Sequence, residues 1–421
     1  MKFKRYKMSE VATIAMSNVD KKTKEGETPI KLCNFVDVYR NWAITKDLIP
    51  TLMLATAKPQ EIEKFTLSKG QVALTKDSET RDDIGIATYI ADNMDNVLLG
   101  YHCAVLTPNS ALVDSKYLNA YMHSNIVHKY FENNASGSGQ RYTLSYDALL
   151  NIPVLLPDLE LQKEIGQIFS NIDRKIALNR QINDNLEAMA RQLYDYWFVQ
   201  FDFPDENGRP YKSSGGKMVW NKKLKREIPK GWYASNIGKV ADILSGGTPS
   251  KAIPEFWDKG TIPFFGPTDC NGNTFQLQTK DHITEDGLKH CASSLYEEGV
   301  IFITARGSIG KLVIVGTPMA MNQSCYALKS KTGEYEYLFF LTLQLIEWLK
   351  AKGNGSVFKS IISSDIEEST LCIGGEDIIA LYCESVKPIF EKIKSNSQEI
   401  INLIKQRDKL LPLLMNGQVS V

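Results

Sequence analysis

The sequence predicts an α+β chain built as an internal repeat: two globular units of mixed α/β structure, each followed by a long helix. Three observations predict this. Residues 158–201 contain no proline and a single glycine, Gly166, and carry apolar residues at heptad spacing. A stretch near the C-terminus follows the same register. Ahead of each helix, short strand-like and helix-like segments match one another at a nearly constant offset.

With Ile165 as position a, the first a/d series reads Ile165, Ile168, Ile172, Lys175, Asn179, Ile182, Leu186, Met189, Leu193 and Tyr196. A helix over this whole stretch is roughly 60 Å long and needs a partner for its seam. The second series reads Val386, Ile389, Ile393, Asn396, Ile400, Leu403, Arg407, Leu410 and Leu414. A shift of 221 positions lays Ile165, Ile168-Phe169 and Ile172 on Val386, Ile389-Phe390 and Ile393, and Lys175 on Asn396. A polar seam residue fixes register at some cost in stability. Each helix is therefore expected to be the other's partner, with Ile172 and Ile393 buried between them.

The globular units repeat as well. Val11-Ala12-Thr13-Ile14 opens the first and Val240-Ala241-Asp242-Ile243 the second, 229 residues later. At the same offset Gly70 to Thr75 matches Gly299 to Thr304, each a turn glycine followed by a strand. The segments 99–106 and 321–328 are both strand-like. Tyr117-Leu118 and Tyr337-Leu338 each begin a helical segment that ends in a glycine-rich loop, around Gly137 and Gly353. The domains predicted are 1–157, the helix 158–201, a linker with a basic second half at 202–231, a second unit at 232–375 and the helix 376–421. The linker reading rests on Pro204, Asn207-Gly208, Pro210 and the run from Ser213 to Gly216.

Composition narrows the class. The 421 residues suffice for two or three cored domains. Seven cysteines without a C-x-x-C pair fit a reducing cytoplasm and argue against a zinc ribbon. No secretory signal follows the basic N-terminus, and the longest apolar stretch, 337–349, is interrupted by Thr342, Gln344 and Glu347, so no membrane association is expected. Lys+Arg and Asp+Glu both number 49, so any nucleic-acid-binding surface must be local.

Catalytic signatures fail when tested. Gly307-Ser308-Ile309-Gly310-Lys311-Leu312 ends like a P-loop, but Ala305-Arg306 replaces the first glycine and Leu312 the magnesium-holding Ser/Thr. No Asn-Pro-Pro-aromatic stretch of the base-methylation kind occurs. Pro204-Asp205 lacks the Glu-x-Lys partner of a magnesium nuclease. The five histidines form no i,i+4 pair and read as packed or surface residues, with no metal site. What remains are polar loops suited to phosphates and base edges. In the second unit these offer Arg306, Ser308 and Lys311, with Asn271, Asn273, Asn322 and Gln323 as amides of the kind that pair with adenine, and Asn354 in the glycine-rich loop. In the first unit they offer Arg40, Asn41, Lys76, Arg81, Gln140 and Arg141.

The chain resembles the specificity subunits of Type I restriction–modification systems. The resemblance is strongest over Tyr194-Asp195-Tyr196-Trp197-Phe198-Val199-Gln200-Phe201-Asp202-Phe203-Pro204. It continues from Gly208 through Trp220 and at Ile228-Pro229-Lys230-Gly231-Trp232. It implies two target recognition domains joined by two conserved helices packed as an antiparallel coiled coil. Each domain would read one half of a split, asymmetric site in double-stranded DNA, and the helices would set the gap. The chain itself would be non-catalytic and bind no cofactor. It would carry methyltransferase subunits, two of them expected, and up to two restriction subunits; these would hold S-adenosylmethionine, ATP and magnesium. The alternatives are the specificity subunit of a related Type II-like system and a single-chain nuclease or methyltransferase.

Overall fold

The computed structural model describes residues 2–138, 141–352 and 360–419. The chain divides into two compact units, Met1–Ala177 with Asn402–Val421, and Leu178–Ile401. Each unit thus contains part of both long helices, which span Leu159–Tyr194 and Glu376–Met415.

The two units share one topology. In the first, a five-stranded sheet runs in the order Ala12–Met16, Cys103–Pro108, Val72–Thr75, Ala87–Ile90, Ala43–Ile44. In the second, the order is Ala241–Ser245, Cys325–Ser330, Ile301–Thr304, Leu312–Val315, Phe275–Gln276. The last pair is parallel in both sheets and the rest are antiparallel. A three-stranded sheet is likewise repeated: Met53–Ala57, Thr28–Cys33 and Val97–Leu99 match Asp281–Ile283, Ile262–Phe265 and Ala320–Met321. The central strands Val72–Thr75 and Ile301–Thr304 are buried at every residue, which suits their apolar runs to the middle of a sheet.

The segments 99–106 and 321–328, read from sequence as single strands, are each broken. Val97–Leu99 belongs to the three-stranded sheet and Cys103–Pro108 to the five-stranded one. Ala320–Met321 and Cys325–Ser330 divide in the same way. The residues between them, 100–102 and 322–324, carry the chain from one sheet to the other and so stand at a rim.

The long helices are α-helical, the first giving way to a wider π-helical turn at Asp195–Val199. In the second unit Asn179 bonds to Glu399, Asn183 to Asn396 and Ser397, and the Ala190 carbonyl to the Tyr382 hydroxyl. As one number rises the other falls, so the helices are antiparallel. In the first unit Ile165 and Phe169 share a core with Leu414 and Met415.

The seam departs from the heptad reading at two of its d positions, Lys175 and Met189. Ile165, Ile172, Asn179, Leu186 and Leu193 do face inward. Phe169, Ile176, Ala190 and Trp197 are buried as well, Asn183 is half-buried like Ile168 and Ile182, and Tyr196 packs against the core. Lys175 is exposed, and Met189 is 58% exposed. Of the two matched polar positions, Asn396 is buried and bonds to Asn183, whereas Lys175 is exposed. Ile393 is buried as expected, whereas Ile172 is half-buried.

The segment 202–231 is folded, not a loose linker. Phe203 stacks on Trp232 and Tyr211, and Met218–Asn221 pairs with Arg226–Pro229 as a hairpin. With Tyr194, Phe198, Tyr337 and Tyr382 these rings build an aromatic core in the second unit. Among the described residues, no helix is long and apolar enough to cross a membrane.

Candidate nucleic-acid interface

In the first unit the site forms where three chain segments meet. Lys76 follows the central strand Val72–Thr75, and His102 precedes the neighbouring strand Cys103–Pro108. The Lys76 amide donates to the His102 carbonyl at 2.9 Å, and the Leu144 amide donates to the Lys76 carbonyl at 2.8 Å. The third segment, Arg141–Thr143, pairs with Asp77–Ser78 and with Ser136–Ser138. Gly137 makes the last pairing possible: at φ +148° its Cβ position lies 2.1 Å from the Arg141 carbonyl oxygen, so no side chain fits.

The hub is Asp77. Its Oδ2 lies 2.7 Å from His102 Nδ1, 3.1 Å from Arg141 Nη2 and 3.2 Å from Lys76 Nζ. Burial alone would raise the pKa of this carboxyl. Hydrogen bonds from Thr143 and His102, with the Lys76 charge, outweigh burial and hold it down at about 2. The Asp77 side chain is 9% exposed and that of Arg141 is 55% exposed. Arg141 Nη2 also lies 2.5 Å from His102 Nδ1, and the Tyr101 and His102 ring centroids are 3.6 Å apart. Arg81 stands over the Tyr142 ring at 5.0 Å. Nearby, the Tyr39 hydroxyl donates to Asp83 at 3.0 Å, which ties the helix Phe35–Arg40, and with it Arg40, to the loop carrying Arg81. Asn41 donates its side-chain amide to the Asp37 carbonyl at the end of that helix.

The second unit repeats the scaffold with other side chains. The Ala305 amide donates to the Ser324 carbonyl at 2.8 Å, and the Ile361 amide to the Ala305 carbonyl at 3.0 Å. These bonds are the counterparts of those at Lys76. Arg306, 229 positions after Asp77, is exposed. The loop 305–311 closes a hairpin between two antiparallel strands, where a P-loop would lead into a helix. Thr304 Oγ1 organises it, donating to the Ser308 carbonyl and accepting from the Lys311 amide at 3.0 Å. Gly310 takes φ +71° at the turn. Lys311 Nζ reaches the Cys270 carbonyl at 3.1 Å, which joins this loop to the one bearing Asn271 and Asn273.

The polar residues chosen from sequence thus gather at matching places. Lys76, Arg81 and Arg141 meet in the first unit, with Arg40 close by. Arg306, Ser308 and Lys311 share a loop in the second, joined to Asn271 and Asn273. Asn322 and Gln323 stand at the 322–324 rim, where the side-chain oxygen of Asn322 accepts from the Ser324 amide and that of Gln323 from the Thr248 hydroxyl. Asn271 accepts from the Asn273 amide. Gln140 and Asn354 lie outside the described residues. Sequence reading missed Asp77, Tyr101 and His102. The available signal was the strand repeat, which places 77 opposite 306 and 102 opposite 324. Among the described residues no group of three His, Cys, Asp or Glu side chains is placed to hold a metal ion.

Comparison with known proteins agrees with this architecture. The family model "Type I restriction modification DNA specificity domain" matches residues 2–188 and 229–373, one segment in each half of the chain. The specificity subunit of the Type I restriction enzyme HindI from Haemophilus influenzae is 26% identical over 407 residues, covering 85% of this chain and 88% of that one. The MjaIX specificity subunit from Methanocaldococcus jannaschii is 28% identical over 359 residues, covering 84% and 78%. The crystal structure of a Type I system S subunit from M. genitalium shares the fold, with a TM-score of 0.56 at 15% identity over 98% of this chain and 96% of that one. The chain therefore belongs to the Type I restriction–modification DNA specificity family, and is the DNA specificity subunit of such a system and not its catalytic component.

Proposed function

We propose that each unit reads one half of a split, asymmetric site in double-stranded DNA through the rim loops described above. One observation carries this reading: two units of identical strand order present different side chains at equivalent positions. Asp77 with Arg141 and His102 in the first stands against Arg306 with Ser324 in the second. A repeated scaffold with unlike readers suits two unlike half-sequences. Local rims of Lys and Arg also reconcile DNA binding with zero net charge. The seam of the two long helices sets the spacing between the halves. Two methyltransferase subunits and up to two restriction subunits assemble on the chain in the cytoplasm, and S-adenosylmethionine, ATP and magnesium are bound by those partners.

The test is methylome sequencing of a host that expresses this chain with its methyltransferase partner. The expected result is one bipartite motif with two different halves. Replacing 305–311 with another sequence should change only the half read by the second unit. A continuous or palindromic motif, or a change in both halves, would overturn the reading.

A further inference from the structure

We propose that Arg141 reads a guanine in the half-site of the first unit, and that Asp77 is the positioning residue that aims it. The inference rests on the reading that this rim faces DNA. An arginine on a loop ordinarily loses much rotamer entropy in making a two-pronged contact. Here that freedom is already restricted. Asp77 Oδ2 holds one guanidinium nitrogen at 3.1 Å, and the carboxylate is itself fixed by Lys76 and His102 at 3.2 and 2.7 Å. The same nitrogen lies 2.5 Å from His102 Nδ1, and the His102 ring is backed by Tyr101 with centroids 3.6 Å apart. The backbone beneath is pinned to the Asp77 strand and, through Gly137, to Ser136–Ser138. Just over half of the Arg141 side chain remains exposed. A planar fork anchored at one edge and open at the other fits the O6 and N7 acceptors on the major-groove edge of guanine. An adenine presents a donor beside its N7, so the same fork rejects it. Asp77 presents little charge for the DNA to repel, because its side chain is 9% exposed and both Lys76 and Arg141 donate to its Oδ2.

The experiment uses the assembled complex with its methyltransferase subunits and a randomised duplex library. It compares wild type with Arg141→Ala, Arg141→Lys and Asp77→Asn, and titrates selected duplexes at several salt concentrations. Arg141→Ala should abolish preference for guanine at one position of one half-site, a loss of about 10- to 100-fold in discrimination, with every other position unchanged. Arg141→Lys should recover little of it, since a point charge cannot make both bonds. Asp77→Asn should relax the same position by a smaller factor. Added to Arg141→Ala it should change nothing further, which separates positioning from a general structural role. Arg141 is exposed, so its variants fold even if Asp77→Asn does not, and melting curves check this. Uniform weakening at all positions, with the salt slope reduced by about one unit, would make Arg141 a phosphate contact and overturn the proposal. So would a loss at an A·T position or no change. If the wild-type complex shows no preference in that half-site at all, the wider reading of the rim has failed, not the assignment of Arg141 alone.

Discussion

Asn396 Nδ2 donates to Asn183 Oδ1 at 2.9 Å across the antiparallel helices, and Asn183 Nδ2 lies 3.2 Å from Ser397 Oγ. Asn396 is 2% exposed, so this polar knot sits inside the seam. Its value lies in pairing. Asn396→Leu leaves the Asn183 amide short of a partner and should cost about 1–3 kcal/mol. The double substitution Asn183→Leu with Asn396→Leu should regain most of that loss, because two apolar residues satisfy each other. Chemical denaturation of the four proteins in the cycle measures the coupling. Additive losses would show that the two amides do not act as a pair.

Phe169 and Met189 decide between the two heptad readings. Phe169 is fully buried, in a core with Ile165, Leu414 and Met415, whereas Met189 is 58% exposed. Phe169→Ala should therefore cost about 3–5 kcal/mol. Met189→Ala should stay within about 0.5 kcal/mol of wild type. Thermal unfolding suffices to compare them, and a larger loss at Met189 would restore the register drawn from sequence alone.

These residues also show where the sequence is readable. Repeated strand order leaves a repeated signal, so the glycine-to-strand units at Gly70 and Gly299 stand out in the sequence itself. Half of the seam is legible too, because Ile165, Ile172, Leu186 and Leu193 belong to both registers. Part of the rest is hidden by chemistry. Ala190 and Asn183 occupy seam positions without a hydrophobic signal, while exposed Met189 supplies one. The stretch 202–231 misleads through its Pro and Gly content, since its folding depends on Phe203, Trp232 and Tyr211 meeting in space. The Asp77 site is illegible for a similar reason: 25 residues separate Asp77 from His102 and 64 separate it from Arg141.

His123 makes the first unit sensitive to acid. Burial pushes its pKa down, the His128 and Arg407 charges push the same way, and the Ala87 carbonyl opposes them; the result is about 3. Its ring stacks on Trp42 with centroids 4.3 Å apart. The folded-state pKa is depressed, so protons bind the unfolded chain more tightly. Stability is therefore complete above the unfolded pKa of about 6.5 and falls as pH drops toward 3. By pH 4 the loss should be on the order of 3 kcal/mol. His123→Phe keeps a ring against Trp42 and removes the titration. It should start lower by about 1 kcal/mol, for the lost bond to Ala87, and vary less with pH. Unfolding curves between pH 7 and pH 4 test this, and parallel curves for both proteins would exclude His123 as the cause.

Arg306 occupies the second unit's counterpart of Asp77, with its side chain exposed. Its loop is held from below by Thr304 and sideways by Lys311. The backbone is thus fixed while the guanidinium keeps its reach. If it contacts a base edge, Arg306→Ala should cost about 1–3 kcal/mol on the matched site and relax one position in the half-site opposite to that read by Arg141. Binding titrations with single-substituted duplexes locate that position. Repeating them at several salt concentrations separates this from a phosphate contact, for which all duplexes weaken together and the slope falls by about one unit. The two arginines should also be independent: the double variant with Arg141→Ala should lose the sum of the single losses, because they read different halves. A relaxed position in the same half-site for both would mean that the two rims do not serve separate halves.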